Sequence, residues 1–287
     1  RCRPACAVSS LVMSEFPVFS RYVALGDSTT EGLDDPYPGS RGGETVYRGW
    51  ADRLAARLAQ DNPDIRYANL AIRGRLIGKI KETQLRPALA MKPDLVSVVG
   101  GVNDLLRPKF DIDAVTAQLE SMVRAFREDG ATVLVMTLPD LGNSMRRARL
   151  ISRRLAAYNQ AIRYVAARTG ATLVDMAVEL ELYDPRGWSE DRLHANAIGH
   201  EYLMWGAAKS LGFPDAADEL AALQAGVPHQ RAKGVLAATS SETVWAWTHL
   251  RPWIARRLKG SSSGDGISAK RPELARVERA DLADSSR

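Results

Sequence analysis

The chain has 287 residues, of which 45% are hydrophobic and 25% are charged, and its formal net charge is +5 at pH 7. This composition is typical of a globular protein with one sizeable core and an appendage. The positive excess is modest, and no zinc-finger spacing, Walker-type loop or aromatic-basic signature accompanies it. Nucleic acid is therefore not an expected partner. No apolar run approaches the length of a membrane span.

Cysteines occur only in the leading segment, residues 1–19, as Cys2 and Cys6. Two such ligands do not make a structural zinc site, and neither cysteine can staple the predicted core. The apolar stretch of the first dozen residues is too short for a signal peptide, and Met13 is a candidate start. We expect a poorly ordered leading segment and a cytoplasmic protein.

Short apolar or β-branched runs predict five strands, and longer helical patterns lie between them. The predicted strands are residues 22–25, 65–70, 95–99, 132–137 and 172–174, and the predicted helices are residues 50–59, 77–90, 112–128, 146–168 and 197–211. Strands that alternate with helices favour parallel βαβ units with helices on both faces of the sheet. The predicted fold class is α/β, a three-layer α/β/α flavodoxin-like sandwich around a parallel sheet of about five strands.

The alternation stops near residue 213, and residues 214–259 are predicted to form a helical extension. Its alanine-rich part, residues 216–225, is expected to pack back on the domain. Residues 244–259 combine tryptophans with a basic end, a composition typical of an interfacial membrane helix. We favour packing on the protein itself or on a second subunit, with contact to a membrane surface as the alternative. Residues 260–287 are predicted to be a disordered polar tail.

Polar residues follow three of the predicted strands at the point where each strand ends. Ser28 comes after the first strand, Gly74 after the second and Asn103 after the third. Ligands of parallel sheets bind at the carboxyl ends of the strands, so these residues are expected at one edge. Farther along the chain, Asp191 and His194 are three residues apart. A serine nucleophile needs such a base and such a carboxylate.

The same residues lie in four blocks whose order resembles that of the SGNH hydrolases, also called the GDSL esterase/lipase family. The blocks are Gly26-Asp27-Ser28-Thr29, Asn69-Leu70-Ala71-Ile72-Arg73-Gly74, Gly101-Val102-Asn103-Asp104 and Asp191-Arg192-Leu193-His194. Thr29 stands where the family name has leucine, a position that shapes the turn and takes no part in the chemistry. The resemblance covers residues 20–213, which would form the catalytic domain.

The resemblance implies that Ser28 is the nucleophile, His194 the general base and Asp191 the residue that orients the base. It also implies an oxyanion hole made by the backbone N–H groups of Ser28 and Gly74 and by the side-chain amide of Asn103. The expected activity is cleavage of a small-molecule carboxylic ester through an acyl-enzyme, with no metal or organic cofactor. The alternatives are an acyltransferase that uses the same site and a non-catalytic binding module.

Some residues near these blocks have predicted structural roles, and for others the sequence leaves two roles open. Asn196 is predicted to cap the last helix of the domain, and His200 to be a structural histidine. Trp188 could form a wall of the cleft or fill the core. The loop after Ser28, which includes Asp34, is expected to be flexible and to line the entrance. Its composition shows no acyl tunnel, which favours a small or medium acyl group.

Overall fold

The computed structural model describes residues 17–37, 46–139, 149–178, 185–191, 193–226 and 262–278. Residues 1–16 of the leading segment and the predicted helix at residues 244–259 lie outside the described residues, so those predictions remain predictions.

A six-stranded sheet forms the centre of the fold, with the strand order β5-β4-β3-β1-β2-β6. The strands are β1 Arg21–Gly26, β2 Arg66–Asn69, β3 Leu95–Val99, β4 Thr132–Met136, β5 Thr172–Val174 and β6 Arg271–Arg276. Strands β1 to β5 are mutually parallel, as predicted, whereas β6 pairs with β2 in the antiparallel direction. The predicted parallel sheet is confirmed, and one further strand extends it.

Helices connect the parallel strands and form a layer on each face of the sheet. They are α1 Ser28–Glu31, α2 Gly49–Asp61, α3 Ile77–Ile80, α4 Arg86–Ala90, α5 Val102–Leu105, α6 Ile112–Glu128, α7 Arg149–Thr169, α8 Ala197–Ser210 and α9 Ala216–Gly226. Helix α8 packs with α2 and α9, and α6 packs with α3 and α7, which gives the two outer layers. Within the described residues, no helix is both long enough and apolar enough to cross a membrane.

The sheet is covered on both faces, and its central strands are therefore mostly apolar and buried. Every residue of β3 is buried. The one polar side chain of β3, Ser97, forms a hydrogen bond of 2.9 Å between its Oγ and the hydroxyl of Tyr22. Trp50 of α2 and Phe126 of α6 are fully buried and fill the space between the sheet and its two helical layers.

Residues 262–278, the C-terminal segment, differ from the prediction of a disordered polar tail. They form β6 at the edge of the sheet, where the missing N–H of Pro272 is tolerated. Lys270 anchors the segment, because its Nζ lies 2.8 Å from Asp52 Oδ1. The same ammonium group donates hydrogen bonds of 2.8 and 2.7 Å to the carbonyl oxygens of Tyr47 and Arg48. Burial lowers the pKa of Lys270.

Asp52 joins this segment to the rest of the domain. Its carboxylate is buried in α2 and accepts hydrogen bonds of 2.7 Å from the hydroxyls of both Tyr37 and Tyr67. It therefore ties the loop after α1, strand β2 and the C-terminal segment to α2. A charged pair of this kind is costly to break, because the remaining partner is left buried without a counterion.

We predict that Asp52→Ala lowers the free energy of unfolding by about 3–5 kcal/mol, since Lys270 then keeps a buried charge without its carboxylate. Urea unfolding followed by tryptophan fluorescence measures this change. The matched control is Asp64→Ala, which removes an ion pair with Arg276 whose side chains are 75% and 70% exposed. It should cost less than about 1 kcal/mol. Equal effects of the two variants would contradict the anchoring role of Asp52.

Candidate active site

The strand order reverses direction at β1, and the residues of the candidate site follow the carboxyl ends of the strands there. The chain passes from β1 to β2 on one side, while β3 pairs with β1 on the other. Such a reversal opens a crevice between the loops that follow the two central strands. Ser28 follows β1, Gly74 follows β2 and Asn103 follows β3, as predicted.

The strand end that carries Ser28 is held tightly. A Cβ atom at Gly26 would lie 2.5 Å from the carbonyl oxygen of Val99, so only glycine fits there. The buried side-chain amide of Gln84 pairs with the backbone N–H and the carbonyl oxygen of Gly26, each at 2.9 Å. Gln84 lies in a π-helical turn, Lys81–Leu85, between α3 and α4. Asp27 then caps α1 by accepting a hydrogen bond of 3.2 Å from the backbone N–H of Thr29.

Ser28, His194 and Asp191 form a continuous chain of hydrogen bonds. The Nε2 atom of His194 is 3.0 Å from Ser28 Oγ, and its Nδ1 atom is 2.5 Å from Asp191 Oδ2. The other oxygen of Asp191 accepts hydrogen bonds from the backbone N–H groups of Leu193, at 2.9 Å, and His194, at 3.0 Å. The loop before α8 therefore fixes the carboxylate and the imidazole relative to each other.

Charges around His194 favour its protonated form. Burial of the ring opposes protonation, but the hydrogen bond and the charge of Asp191 outweigh it and raise the pKa of His194. Burial likewise disfavours the charge of Asp191, yet its hydrogen bonds with His194 hold the pKa of that carboxyl well below its usual range. This arrangement makes His194 a stronger base toward a proton of Ser28.

A second carboxylate, Asp34, lies beside the same histidine, and the sequence analysis did not predict this contact. Its Oδ2 is 4.0 Å from His194 Nδ1. One ligand atom from each of Asp34, Asp191 and His194 lies within 4.8 Å of the other two. The charges of Asp34 and Asp27 add to that of Asp191 in raising the pKa of His194.

The backbone around Asp34 is held on both sides. Asp34 itself has a φ of +69°, a left-handed conformation that aspartate tolerates better than most residues. The preceding carbonyl, of Leu33, accepts a hydrogen bond of 3.1 Å from His200 Nε2, which confirms His200 as a structural histidine. Burial lowers the pKa of His200 to about 4. The following residue, Asp35, binds Arg53 through two hydrogen bonds of 2.8 and 3.1 Å.

The loop that contains Gly74 is held by α1. Gly74 has a φ of +72°, which favours glycine. Arg73, just before it, donates its backbone N–H to Glu31 Oε2 at 2.7 Å, and its guanidinium also pairs with that carboxylate. The charge of Arg73 is therefore paired within the protein.

Asn103 lies beside Asp27, the residue that directly precedes Ser28 in the sequence. Its Nδ2 donates hydrogen bonds to Asp27 Oδ2, at 3.1 Å, and to the carbonyl oxygen of Arg75, at 3.2 Å. A substrate oxygen that binds this amide would therefore have to displace or share one of these acceptors. Burial raises the pKa of Asp27 to about 6.

The remaining neighbours mostly have the structural roles expected of them. Asn196 caps α8, because its Oδ1 accepts hydrogen bonds from the backbone N–H groups of Ile198, at 3.0 Å, and Gly199, at 3.2 Å. The side-chain amide of Asn196 also donates to the carbonyl oxygen of Trp188 at 3.2 Å. Trp188 is half-buried and packs against the hydrophobic core.

The sequence profile of the GDSL-like lipase/acylhydrolase family matches residues 24–202. This range contains Ser28, His194 and Asp191, the three residues joined by hydrogen bonds. The chain belongs to the GDSL-like lipase/acylhydrolase family. It is a serine hydrolase of carboxylic esters, as the sequence analysis predicted.

Similar proteins include an acetylxylan esterase and TesA. An acetylxylan esterase from Geobacillus stearothermophilus is 26% identical over 164 residues, which are 52% of this chain and 73% of that protein. The crystal structure of TesA superimposes with a TM-score of 0.56 at 25% identity, over 67% of this chain and 98% of TesA. That of Axe2, an acetylxylan esterase from Geobacillus stearothermophilus, has a TM-score of 0.56 at 24% identity, over 68% of this chain and 94% of Axe2. The C-terminal segment lies beyond the residues that the family profile matches.

We predict that Asp34→Asn moves the acidic limb of the pH profile of kcat/KM to lower pH. A histidine that accepts the proton of Ser28 must be neutral, and the limb marks its pKa in the free enzyme. The charge of Asp34 raises the pKa of His194 together with the charges of Asp191 and Asp27, so its removal lowers that pKa. Asparagine also tolerates the left-handed backbone at this position.

The measurement is kcat/KM for a soluble ester across the acidic range. The control is Asp64→Asn, which removes an exposed carboxylate that pairs with Arg276. The control should leave the limb in place. A limb that stays at the wild-type pH in Asp34→Asn would show that Asp34 has no electrostatic influence on His194.

Proposed function

We propose that Ser28 is the nucleophile of this ester hydrolase, that His194 is its general base and that Asp191 orients the base. The observation that supports these roles is the unbroken chain from Ser28 Oγ through the imidazole to Asp191, with steps of 3.0 and 2.5 Å. A neutral His194 accepts the serine proton at Nε2 and keeps its own proton on Nδ1, toward the carboxylate. The three residues then have the relative placement that acyl transfer to serine needs.

In the first half of the reaction, Ser28 Oγ attacks the carbonyl carbon of the ester while His194 takes the hydroxyl proton. The carbonyl oxygen gains the electron pair of the broken π bond. The backbone N–H groups of Ser28 and Gly74 and the side-chain amide of Asn103 are the proposed donors to this oxyanion. The amide of Asn103 would release one of its present acceptors, Asp27 or the carbonyl of Arg75, when the oxyanion forms.

Acylation is complete when the tetrahedral intermediate collapses and the alcohol leaves with the proton that His194 returns to it. The acyl group stays on Ser28 as an ester. Water then attacks this acyl-enzyme, gives its proton to His194 and releases the acid, and the proton returns to Ser28. Each proton moves between oxygen and Nε2 of His194, so these steps need no metal or organic cofactor. Acyl transfer would use the same residues with an alcohol in place of water, and no observation favours it.

The proposed substrate is an ester of a small acyl group, with acetyl esters of carbohydrates as the first class to test. The support comes from the acetylxylan esterase from Geobacillus stearothermophilus, which is 26% identical over 164 residues. The proposed partner is a small-molecule ester substrate. Nucleic acid is not proposed as a partner. The cytoplasm is the proposed location.

The test is hydrolysis of p-nitrophenyl esters from acetate to palmitate, followed by release of acetate from acetylated xylooligosaccharides. We expect the highest kcat/KM at the shortest chains, and we expect Ser28→Ala to remove turnover while the thermal unfolding midpoint stays near that of the wild type. A maximum at palmitate would contradict the small acyl group. Turnover that persists in Ser28→Ala would contradict the nucleophile.

We predict that Asn103→Ala lowers kcat by about 10²–10³-fold, because one donor to the oxyanion is lost. Steady-state kinetics with p-nitrophenyl acetate measure the change. The control is Asn62→Ala. Asn62 lies near the amino ends of β1 and β2, away from Ser28, and its amide donates a hydrogen bond to the carbonyl oxygen of Phe19. The control should change stability without changing kcat. Equal kcat values for wild type and Asn103→Ala would exclude this amide from the oxyanion hole.

A further inference from the structure

The C-terminal segment touches the loop that contains Gly74, at the crevice where Ser28 lies. The hydroxyl of Ser262 donates a hydrogen bond of 3.2 Å to the carbonyl oxygen of Gly74. In the opposite direction, the guanidinium of Arg75 donates a hydrogen bond of 3.3 Å to the carbonyl oxygen of Gly264. Each segment therefore donates one side-chain hydrogen bond to a backbone carbonyl oxygen of the other.

Glycines allow this close approach. Gly264 is buried, and a Cβ atom there would lie 2.2 Å from the carbonyl oxygen of Arg73. A Cβ atom at Gly74 would lie 2.5 Å from Ser262 Oγ. Since both distances are shorter than real carbon contacts, any side chain at Gly264 has to push the two segments apart.

Arg75 extends the contact toward the proposed oxyanion hole. Its carbonyl oxygen accepts the hydrogen bond of 3.2 Å from Asn103 Nδ2, and its guanidinium lies 3.6 Å from Asp265 Oδ1. Residues 262–265 thus reach the Gly74 backbone directly and the Asn103 amide through Arg75. On its other side the loop is held by Glu31, which binds the backbone and the side chain of Arg73.

The C-terminal segment is itself well anchored. Strand β6 pairs with β2, the strand that leads into the Gly74 loop. Lys270 binds the buried carboxylate of Asp52 at 2.8 Å. The turn at residues 262–265 is therefore attached to a fixed part of the domain and can hold the Gly74 loop in one position.

We propose that residues 262–265 are positioning residues for the oxyanion hole, although they lie outside the region that defines the family. They hold the Gly74 loop so that the N–H of Gly74 and the amide of Asn103 stay where the oxyanion forms. The proposal rests on the proposed roles of Ser28, Gly74 and Asn103. Donors that are held in advance stabilise charge in the transition state and have little effect on ground-state binding. Loss of these contacts should therefore lower kcat and leave KM unchanged.

The principal test is Gly264→Val, whose side chain cannot fit against the carbonyl oxygen of Arg73. With p-nitrophenyl acetate we expect kcat to fall by about 10²-fold, the loss that a displacement of about 1 Å in an active site can cause. The second readout is inhibition by phenylboronic acid, whose tetrahedral adduct on Ser28 places a hydroxyl where the oxyanion would form. Its inhibition constant should rise along with the loss in kcat.

A milder variant, Ser262→Ala, removes one hydrogen bond to the Gly74 carbonyl without adding bulk. The loss of one hydrogen bond should lower kcat by up to about tenfold. The control is Arg276→Ala, which alters the same segment at its exposed ion pair with Asp64 and should keep the kcat of the wild type. Circular dichroism and thermal unfolding show whether each variant is folded at the assay temperature. If Gly264→Val does not fold, Ser262→Ala decides the outcome.

The outcomes separate this inference from the proposed function. A wild-type kcat in both Gly264→Val and Ser262→Ala would overturn the positioning role and leave the Ser28 mechanism intact. A higher KM at unchanged kcat would also overturn it, because residues 262–265 would then bind substrate. An inactive wild type, or wild-type turnover that does not depend on Ser28, would overturn both proposals.

Discussion

The common register of the parallel strands is the constraint on which the site depends. Gly26, the last residue of β1, pairs with Val99, the last residue of β3. Ser28 and Asn103 therefore leave the sheet at the same height, although they are far apart in sequence. A shift of one residue in this pairing would turn alternate side chains to the other face and would separate the serine from the amide. Packing of helices on both faces resists such a shift, because every residue of β3 is buried.

One negative charge of the site, that of Asp27, is buried without an ion-pair partner strong enough to compensate, and it works against stability. Burial raises the pKa of Asp27 from 3.8 to about 6. Because the folded state binds this proton more tightly than the unfolded state, stability decreases as the pH rises between these values. At neutral pH the ionised Asp27 is a cost that the rest of the fold must offset.

The sequence predicts the parallel sheet well and the added parts poorly, for physical reasons. Strand β3 and helix α6 are recognisable because burial on both faces, or on one helical face, leaves a periodic apolar pattern. Asp34 is not recognisable as a neighbour of His194, because its position depends on a left-handed turn and on distant partners. Strand β6 has no apolar alternation, and Gly264 lies in a run of glycine and serine typical of a linker. Their places follow from pairing with distant parts of the chain, which local sequence does not encode.

The position of β6 in the sheet also bears on the order in which the protein folds. Strand β6 pairs with β2, and the two strands come from opposite halves of the chain. Closing such a long loop is slow, and ribosomes release β2 long before residues 271–276 are synthesised. Until then β2 presents the unpaired N–H and C=O groups of an edge strand, which can pair with another chain. We therefore expect the nascent protein to pass through an aggregation-prone stage that ends only when β6 closes this edge.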